Sequence, residues 1–109
     1  MPTEAIEKIH HPPRDEIELS AVLHSLSDPV RLKIVSALAA VEAGQEPTCG
    51  SFDVPVTKAT CTHHFKVLRE AGVIHQRQDG TARRNTLRTD DLETRFPGML
   101  ATILEAANS

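Results

Sequence analysis

One stretch of the chain, residues 57–71, restricts the possible folds more than any other. At about 100° per residue it forms an amphipathic helix with two unlike faces. The face suited to a core holds Cys61, His64, Phe65 and Leu68. The opposite face and its flanks hold short or basic side chains and one carboxylate: Lys58, Ala59, Thr62, His63, Lys66, Arg69 and Glu70. Thr57 is a good N-cap and Gly72 a good C-terminal stop, so both ends of this helix are predicted as well.

A basic hairpin is predicted directly after this helix. Residues 73–78 and 83–88 are strand candidates, and Asp79-Gly80 between them is a turn signal. A polar-faced helix followed by such a hairpin is typical of a winged helix-turn-helix, in which the helix enters the major groove of DNA and the hairpin lies along the phosphates. The sequence therefore predicts a mainly α fold with a small β-hairpin, of the winged helix-turn-helix type.

The distribution of charge supports nucleic acid as the partner, although the formal net charge is −3. Residues 57–88 hold seven of the 12 Lys and Arg residues and only two of the 15 Asp and Glu residues. A protein that is acidic overall can present one basic face, and that face decides where a polyanion binds. We therefore expect double-stranded DNA to bind across the helix and the hairpin.

The length of 109 residues corresponds to one domain with a small core and little room for a deep pocket. Aromatic residues make up only 3% of the chain, so stacking on single-stranded bases has few candidates. No apolar run approaches the roughly 20 residues that span a bilayer, and the N-terminal residues lack an apolar signal core. We expect a cytoplasmic protein that does not contact a membrane.

The residues before the organising helix complete a helix-turn-helix. Residues 1–14, with two adjacent prolines, are predicted to be a flexible arm, and residues 15–107 the winged-helix domain. A first helix is expected over residues 15–26, and a second from the N-cap Asp28 and from Pro29 to about residue 43. Residues 48–54 have room for only a short helical turn. The residues predicted to face inward from the second helix are Leu32, Val35, Leu38 and Ala39.

Two apolar stripes lie near the ends of the chain. After the hairpin we expect a helical segment that is capped by Thr89 or Asp90 and ends at residue 95. Pro97 interrupts the helix, and a last helix is expected from Pro97 to about residue 107. The stripe of this last helix consists of Met99, Leu100, Ile103 and Leu104, and that of the first helix includes Leu19, Val22 and Leu23. The helical period alone does not say whether such a stripe packs on its own domain or on a partner. Because the stripes are large for so small a domain, we expect them to meet in a dimer interface.

Two motifs resemble a known family. Residues 26–35, Leu-Ser-Asp-Pro-Val-Arg-Leu-Lys-Ile-Val, and residues 62–74, Thr-His-His-Phe-Lys-Val-Leu-Arg-Glu-Ala-Gly-Val-Ile, are similar to those of the ArsR family of bacterial winged helix-turn-helix repressors. The resemblance covers about residues 15–105. It implies a homodimer that binds a palindromic operator and leaves it when an inducer binds or a thiol reacts. It also implies that Thr62 and His63 face DNA while His64 and Phe65 pack the helix.

The predicted function is therefore that of a sequence-specific DNA-binding transcriptional regulator, a homodimeric repressor released by an unidentified signal. The residues expected to face the major groove are Lys58, Ala59, Thr62, His63 and Lys66. Those expected to hold phosphates or to probe the minor groove are Arg77, Arg83 and Arg84.

The chain departs from the family pattern in ways that bear on the signal. Metal-sensing members carry paired cysteines on the short helix before the recognition helix, whereas the corresponding stretch here, residues 48–52, has Cys49 alone. Other members use Asp and His on the last helix, and this chain has no His after His75. Soft-metal sites need three or four ligands in a closed geometry. No metal site and no cofactor is therefore predicted.

The two cysteines leave an alternative open. Cys61 lies on the buried face of its helix, as free cysteines commonly do. Cys49 follows a turn and lies near a helix start, a position that lowers the pKa of a thiol. A thiol-based, redox-responsive repressor that uses Cys49 and Cys61 is therefore an alternative to a repressor with another signal.

Two other function classes were weighed against DNA binding. For an enzyme, His24, His63, His64 and His75 are candidate bases, but no phosphate loop, nucleophile elbow or paired-carboxylate spacing accompanies them, so no catalytic residue is predicted. A winged-helix module that binds protein would be favoured by a hairpin without basic residues. This hairpin has four arginines, Arg77, Arg83, Arg84 and Arg88, so DNA is preferred.

Overall fold

The computed structural model describes residues 9–52 and 54–109, and they form five α-helices and one two-stranded sheet. A 3₁₀ turn, Arg14–Glu16, precedes α1 (Leu19–Leu26) and α2 (Pro29–Ala40). A second 3₁₀ turn, Cys49–Ser51, leads to α3 (Lys58–Glu70), and the hairpin of β1 (Ile74–Asp79) and β2 (Ala82–Leu87) follows. The chain ends with α4 (Thr89–Arg95) and α5 (Met99–Ala107). This order is that of a winged helix-turn-helix, as the sequence predicted.

Helix α3 has the bounds and the rotation that the sequence predicted. Thr57 is its N-cap, and the Thr57 hydroxyl accepts a hydrogen bond from the backbone N–H of Thr60 at 3.2 Å. The residues predicted for the core face are all buried: Cys61, His64, Phe65 and Leu68. The helix stops where Gly72 takes a φ of +88°, a conformation that favours glycine.

The first helix is shorter than predicted. It begins at Leu19 rather than at residue 15, because Ile17 and Glu18 have extended backbones after the 3₁₀ turn. The extended chain places the Ile17 side chain in the core, where it is 1% exposed. A Cβ on Gly72 would lie 2.7 Å from Cγ1 of Ile17, so this glycine also provides the space that Ile17 fills. Burial of one isoleucine thus replaces the predicted first turn of the helix.

Helix α2 starts as predicted and ends early. The Asp28 carboxylate accepts hydrogen bonds from the backbone N–H groups of Val30 and Arg31, and Pro29 occupies the first turn. The helix ends at Ala40, about three residues before the predicted end, because Val41 has an extended backbone. The predicted inward face is partly wrong, since Ala39 is exposed and Ile34 is fully buried. Of the other predicted positions, Val35 and Leu38 are buried and Leu32 is half-buried.

The hairpin packs its inner side on the core and is tied to the segment before α3. Its antiparallel register runs from Ile74 opposite Leu87 to Asp79 opposite Ala82. The connecting residues are Gly80 and Thr81, one position later than the predicted turn, and Gly80 has a φ of +63°. The backbone N–H of Asn85 donates to the carbonyl of Pro47 at 3.0 Å. This bond fixes the hairpin beside the 3₁₀ turn that leads to α3.

The C-terminal helices close the core from the other side. Leu92 of α4 and Leu100 of α5 are buried, and the break between the helices falls at Pro97-Gly98, as predicted. None of the helices in the described part of the chain combines the length and apolar character needed to cross a membrane.

Candidate nucleic-acid interface

The outer face of α3 is exposed in the part of the chain that the structure describes. Its exposed residues include all five that the sequence predicted to face the major groove: Lys58, Ala59, Thr62, His63 and Lys66. The ammonium groups of Lys58 and Lys66 have no hydrogen bond or ion pair with any residue that the structure describes. This face therefore presents two unneutralised charges, a hydroxyl and an imidazole to the solvent.

His64 joins α3 to the start of α2. It is 8% exposed, and its Nδ1 lies 3.2 Å from a guanidinium nitrogen of Arg31. Since Arg31 is the donor, Nδ1 accepts and Nε2 carries the proton, which faces the Asp28 carboxylate at 4.0 Å. Arg31 also donates through Nε to the carbonyl of Ser25 at 2.7 Å. The contacts fix the angle between the two helices of the helix-turn-helix, a role for Arg31 that helical periodicity did not predict.

Asp28 is at the centre of this junction. Its carboxylate accepts from the backbone N–H of Arg31, and this bond, followed by the charge of Arg31, lowers the pKa of Asp28. A lowered carboxyl pKa means that the contribution of the cap to stability is present at neutral pH. It is lost as the pH falls through the lowered value.

A groove separates α3 from the hairpin. It has a volume of about 650 Å³ and is lined by four cationic side chains, Lys58, Lys66, Arg69 and Arg83. Of the described residues that line it, none is acidic. Thr48 and Thr62 add hydroxyl groups to its walls. Such a groove attracts an anionic backbone, because the charged side chains among its described lining residues are all cationic.

A buried polar network forms the floor of this groove. Arg69 donates to Oε1 of Gln76 at 2.9 Å, and Nε2 of Gln76 donates to Oδ1 of Asn85 at 2.8 Å. Asn85 in turn donates through Nδ2 to the carbonyl of Pro47 at 3.0 Å. Gln76 and Asn85 face each other in the hairpin register and are 5% and 1% exposed. The network therefore links α3, both strands and the loop before the 3₁₀ turn.

Sequence reasoning missed this network, although a signal for it existed. Ile74 and Gln76 occupy alternate positions of β1, so both side chains point to the core side of the sheet. A polar residue at an inward position needs a buried partner, and Asn85 is the residue opposite.

The arginines of the hairpin have hydrogen-bond and ion-pair partners within the chain, which the sequence did not predict. Arg77 is ion-paired with Glu46, through Nε at 3.1 Å and through a second nitrogen, and Arg84 Nε lies 3.1 Å from Asp79. Nε of Arg83 donates to Oε1 of Gln78 at 3.2 Å. A phosphate that binds Arg77 or Arg84 must therefore compete with a carboxylate of the same chain.

Arg88 holds parts of the domain together, although its charge suggested a contact with DNA. Its side chain is 11% exposed, and it donates to the Asp91 carboxylate and to the carbonyl of Pro12, each at 2.8 Å. The hydrogen bonds from Arg14 and Arg88 lower the pKa of Asp91, the bond from Arg14 contributing most. Counting Arg88 among the basic residues that favour DNA was therefore wrong.

The described part of the predicted arm lies against the hairpin. The imidazole of His11 stacks on that of His75 with a centroid distance of 4.3 Å, and its Nε2 accepts from the backbone N–H of Gln76 at 2.9 Å. Burial, followed by the charges of His75, Arg88 and Arg69, lowers the pKa of His11 to about 4. The prediction of a flexible arm did not anticipate these contacts; residues 1–8 of that arm lie outside the described part of the chain.

The two cysteines are brought together. Cys49 in the 3₁₀ turn and Cys61 in α3 are joined as a disulfide, with their Cα atoms 6.7 Å apart. Cys61 is 4% exposed, whereas Cys49 is half-buried and lines the groove. Within the described ranges, no group of three or more His, Cys, Asp and Glu side chains is arranged to hold a metal ion.

The predicted dimer stripes divide into a buried and an exposed part. Val22 and Leu100 lie in the core of the single chain, at 0% and 5% exposure, and so are not available to a partner. Leu19 and Leu23 are 44% and 45% exposed, the large apolar side chains that stand out from α1. The remaining residues of the stripe are half-buried: Met99, Ile103 and Leu104.

The chain is similar to known helix-turn-helix proteins. Residues 26–77, from the end of α1 into β1, match a family described as a helix-turn-helix domain. The chain is also 37% identical over 84 residues to YceK of Bacillus subtilis (strain 168), an uncharacterized HTH-type transcriptional regulator. This alignment covers 75% of the chain and 82% of the relative. Both matches include α2 and α3, the two helices that His64 and Arg31 hold together.

Proposed function

Since the chain belongs to the HTH-type transcriptional regulators and is thus a DNA-binding regulator of transcription, we propose that it acts as a homodimeric repressor of the ArsR type. The proposal is that it binds a palindromic operator in double-stranded DNA and is released by a signal. The observation that carries it is the exposed face of α3 beside a groove lined by four cations and no described carboxylate. Because its DNA is the chromosome, we place it in the cytoplasm.

In the proposed complex, α3 enters the major groove with Thr62 and His63 toward the base edges. A histidine N–H donates to the acceptors of guanine, and the threonine methyl packs on a thymine methyl. Lys58 and Lys66, at the two ends of this face, bind the flanking phosphates, and the groove seats the backbone of one strand. Ala59 allows close approach because its side chain is small.

The hairpin arginines add to the phosphate contacts in this proposal. Arg83 borders the groove. Each of the three arginines exchanges a partner in the same chain for a phosphate: Arg77 leaves Glu46, Arg84 leaves Asp79, and Arg83 leaves partners that include Gln78. Water screens exposed ion pairs, so this exchange costs little. The hairpin thus strengthens binding to any sequence without selecting one.

A second copy of the chain completes the proposed repressor. The exposed pair Leu19 and Leu23, with the outer side of α5, is the surface on which we place the partner. Two-fold symmetry then presents two α3 helices to successive turns of DNA, which is the physical reason for a palindromic site.

The selected DNA itself tests the proposal. Random genomic fragments retained by the purified protein are sequenced, and we expect an inverted repeat with half-sites one helical turn, about 10 base pairs, apart. Retained fragments without a common motif would refute sequence-specific binding. The ion pairs of Arg77, Arg84 and Arg88 favour a second candidate, a module that binds protein, and failure to retain any DNA would support it.

A further inference from the structure

The disulfide occupies a position next to the proposed DNA-binding residues. It connects the 3₁₀ turn Cys49–Ser51 to the second turn of α3, and Cys61 is the chain neighbour of Thr62. The segment between the cysteines includes Thr57, the N-cap of α3, and Lys58. The Cα separation of 6.7 Å is within the range of about 4.4–6.8 Å over which cysteines can be bridged.

We propose that Cys49 and Cys61 are a reversible oxidation site, whose conversion from dithiol to disulfide by a peroxide weakens binding to the operator. The inference rests on the proposed function and names its signal. A protein that binds chromosomal DNA works in a compartment where thiols are kept reduced, and disulfides formed there are usually transient and redox-sensing. The resting form is therefore the dithiol, and the disulfide is the form that follows oxidation.

The surroundings of the two sulfurs assign them different roles. Cys49 is half-buried and lines the groove together with Lys58 and Lys66, so its sulfur can be reached from the groove. An anionic or polar oxidant reaches it through the groove. Cys61 is 4% exposed and packs in the core with Phe65, so it is shielded from solvent oxidants. Cys49 is thus the attacking residue and Cys61 the resolving one.

The chemistry balances with hydrogen peroxide as the oxidant. The Cys49 thiolate attacks one peroxide oxygen, the O–O bond breaks, and the leaving hydroxide takes up a proton to become water. The resulting Cys49 sulfenic acid is attacked by the sulfur of Cys61, so that the S–S bond forms as the S–O bond breaks. The released hydroxide and the proton of Cys61 form the second water. A small-molecule dithiol reverses the reaction by thiol–disulfide exchange.

The change of bonding alters the wall of the groove. Two sulfurs that are not bonded cannot approach as closely as two that are, so reduction separates the 3₁₀ turn from α3. Helix α3 is held by its buried face and by the bonds between His64 and Arg31, so the movement falls on the turn. Thr48, Cys49 and Gly50 of this region line the groove together with Lys58 and Lys66. Oxidation therefore draws this wall inward over the seat proposed for a phosphate strand.

The experiment measures the affinity of the full chain for its selected operator before and after treatment with hydrogen peroxide, and again after dithiothreitol. Mass spectrometry of the intact protein reports the loss of two hydrogens as the disulfide forms. We expect at least tenfold weaker binding after oxidation and recovery with dithiothreitol. Methionine sulfoxide is not reduced by dithiothreitol, so recovery excludes damage at Met99 as the cause.

Cys49→Ser is the matched variant, because its position is half-buried and a hydroxyl is tolerated there. We expect its ratio of affinities with and without peroxide to be about one. A wild-type ratio of one despite disulfide formation, tighter binding after oxidation, or no disulfide at all would each overturn the inference. Loss of DNA binding in both redox states, with the disulfide still forming, would overturn the proposed function and this inference together. That result is distinguishable from failure of the inference alone, in which the reduced protein still binds.

Discussion

Two adjacent histidines show how one residue step separates an exposed side chain from a packed one. His63 is exposed on the outer face of α3, and His64 is 8% exposed between Arg31 and Asp28. Their ring centroids are only 6.4 Å apart. Both histidines could be assigned from the sequence, because the helical period and the cap at Thr57 fix the rotation of α3 without reference to the rest of the fold.

Replacing each histidine with alanine separates the two roles. His64→Ala removes the imidazole that accepts from the Arg31 guanidinium and should lower the free energy of unfolding by about 1–3 kcal/mol. His63→Ala should melt close to wild type but lose about 1–3 kcal/mol of binding to the operator, with little change on random DNA. Denaturant titrations and DNA titrations of both variants make the comparison. If the effects were interchanged, the rotation assigned to α3 would be wrong.

The ends of the helices were predicted correctly where residues close in sequence determine them. The caps at Thr57 and Asp28, the stop at Gly72 and the break at Pro97 all lie where the sequence placed them. Tertiary contacts determine the rest. Ile17 leaves the predicted helix because the space above Gly72 buries it better. Helical periodicity cannot predict this contact, because Ile17 and Gly72 are 55 positions apart in the sequence.

The positive charge of the groove could be predicted from the sequence, but the ion pairs and hydrogen bonds of its residues could not. The excess of Lys and Arg over residues 57–88 is visible in the sequence. The internal partners of Arg77 and Arg88, Glu46 and Asp91, come from other parts of the fold. The chain of bonds through Gln76 and Asn85 likewise depends on the strand register, which a sequence pattern fixes only loosely.

The contact between the arm and the hairpin should depend on pH. The pKa of His11 is lowered from 6.5 to about 4 when it is docked, so the undocked arm binds a proton more readily. Docking is therefore fully favourable above pH 6.5, weakens as the pH falls, and reaches its weakest level near pH 4. Ring proton shifts of His75 in NMR spectra should report loss of the stack over this window.

His11→Ala should remove that transition, whereas His10→Ala, the exposed neighbour, should retain it. An unchanged transition in His11→Ala would show that another group controls the docking of the arm. DNA binding is measured in parallel, since Ile9 and His10 line the groove.

At the scale of the whole molecule, the apolar surface that remains exposed predicts the assembly. Leu100→Glu, which the apolar stripe alone would suggest as a test, places a carboxylate in the core of one chain, where Leu100 is 5% exposed. Its effect would be on folding. The informative position is Leu23, which is 45% exposed on α1.

Leu23→Glu should therefore fold with nearly the wild-type stability and sediment as a monomer. Its affinity for the operator should fall more than its affinity for a single half-site, because only the full site needs two copies. Ser20→Glu, an equal charge change at another exposed position of α1, is the control and should remain dimeric. A dimeric Leu23→Glu protein would exclude this surface as the interface.

The proposed DNA-binding surface is centred on the outer face of α3, with the groove and the hairpin beside it. Lys66→Gln and Lys33→Gln test it most directly, because both lysines are exposed and neither ammonium has a partner among residues 9–52 and 54–109. They differ in place, since Lys66 is on α3 and Lys33 on α2. The measurement is the affinity for the operator as a function of salt concentration. We predict that Lys66→Gln weakens binding and reduces the slope of log affinity against log salt by about 1, while Lys33→Gln changes neither. Equal effects of the two substitutions, or an effect of Lys33→Gln alone, would contradict the account.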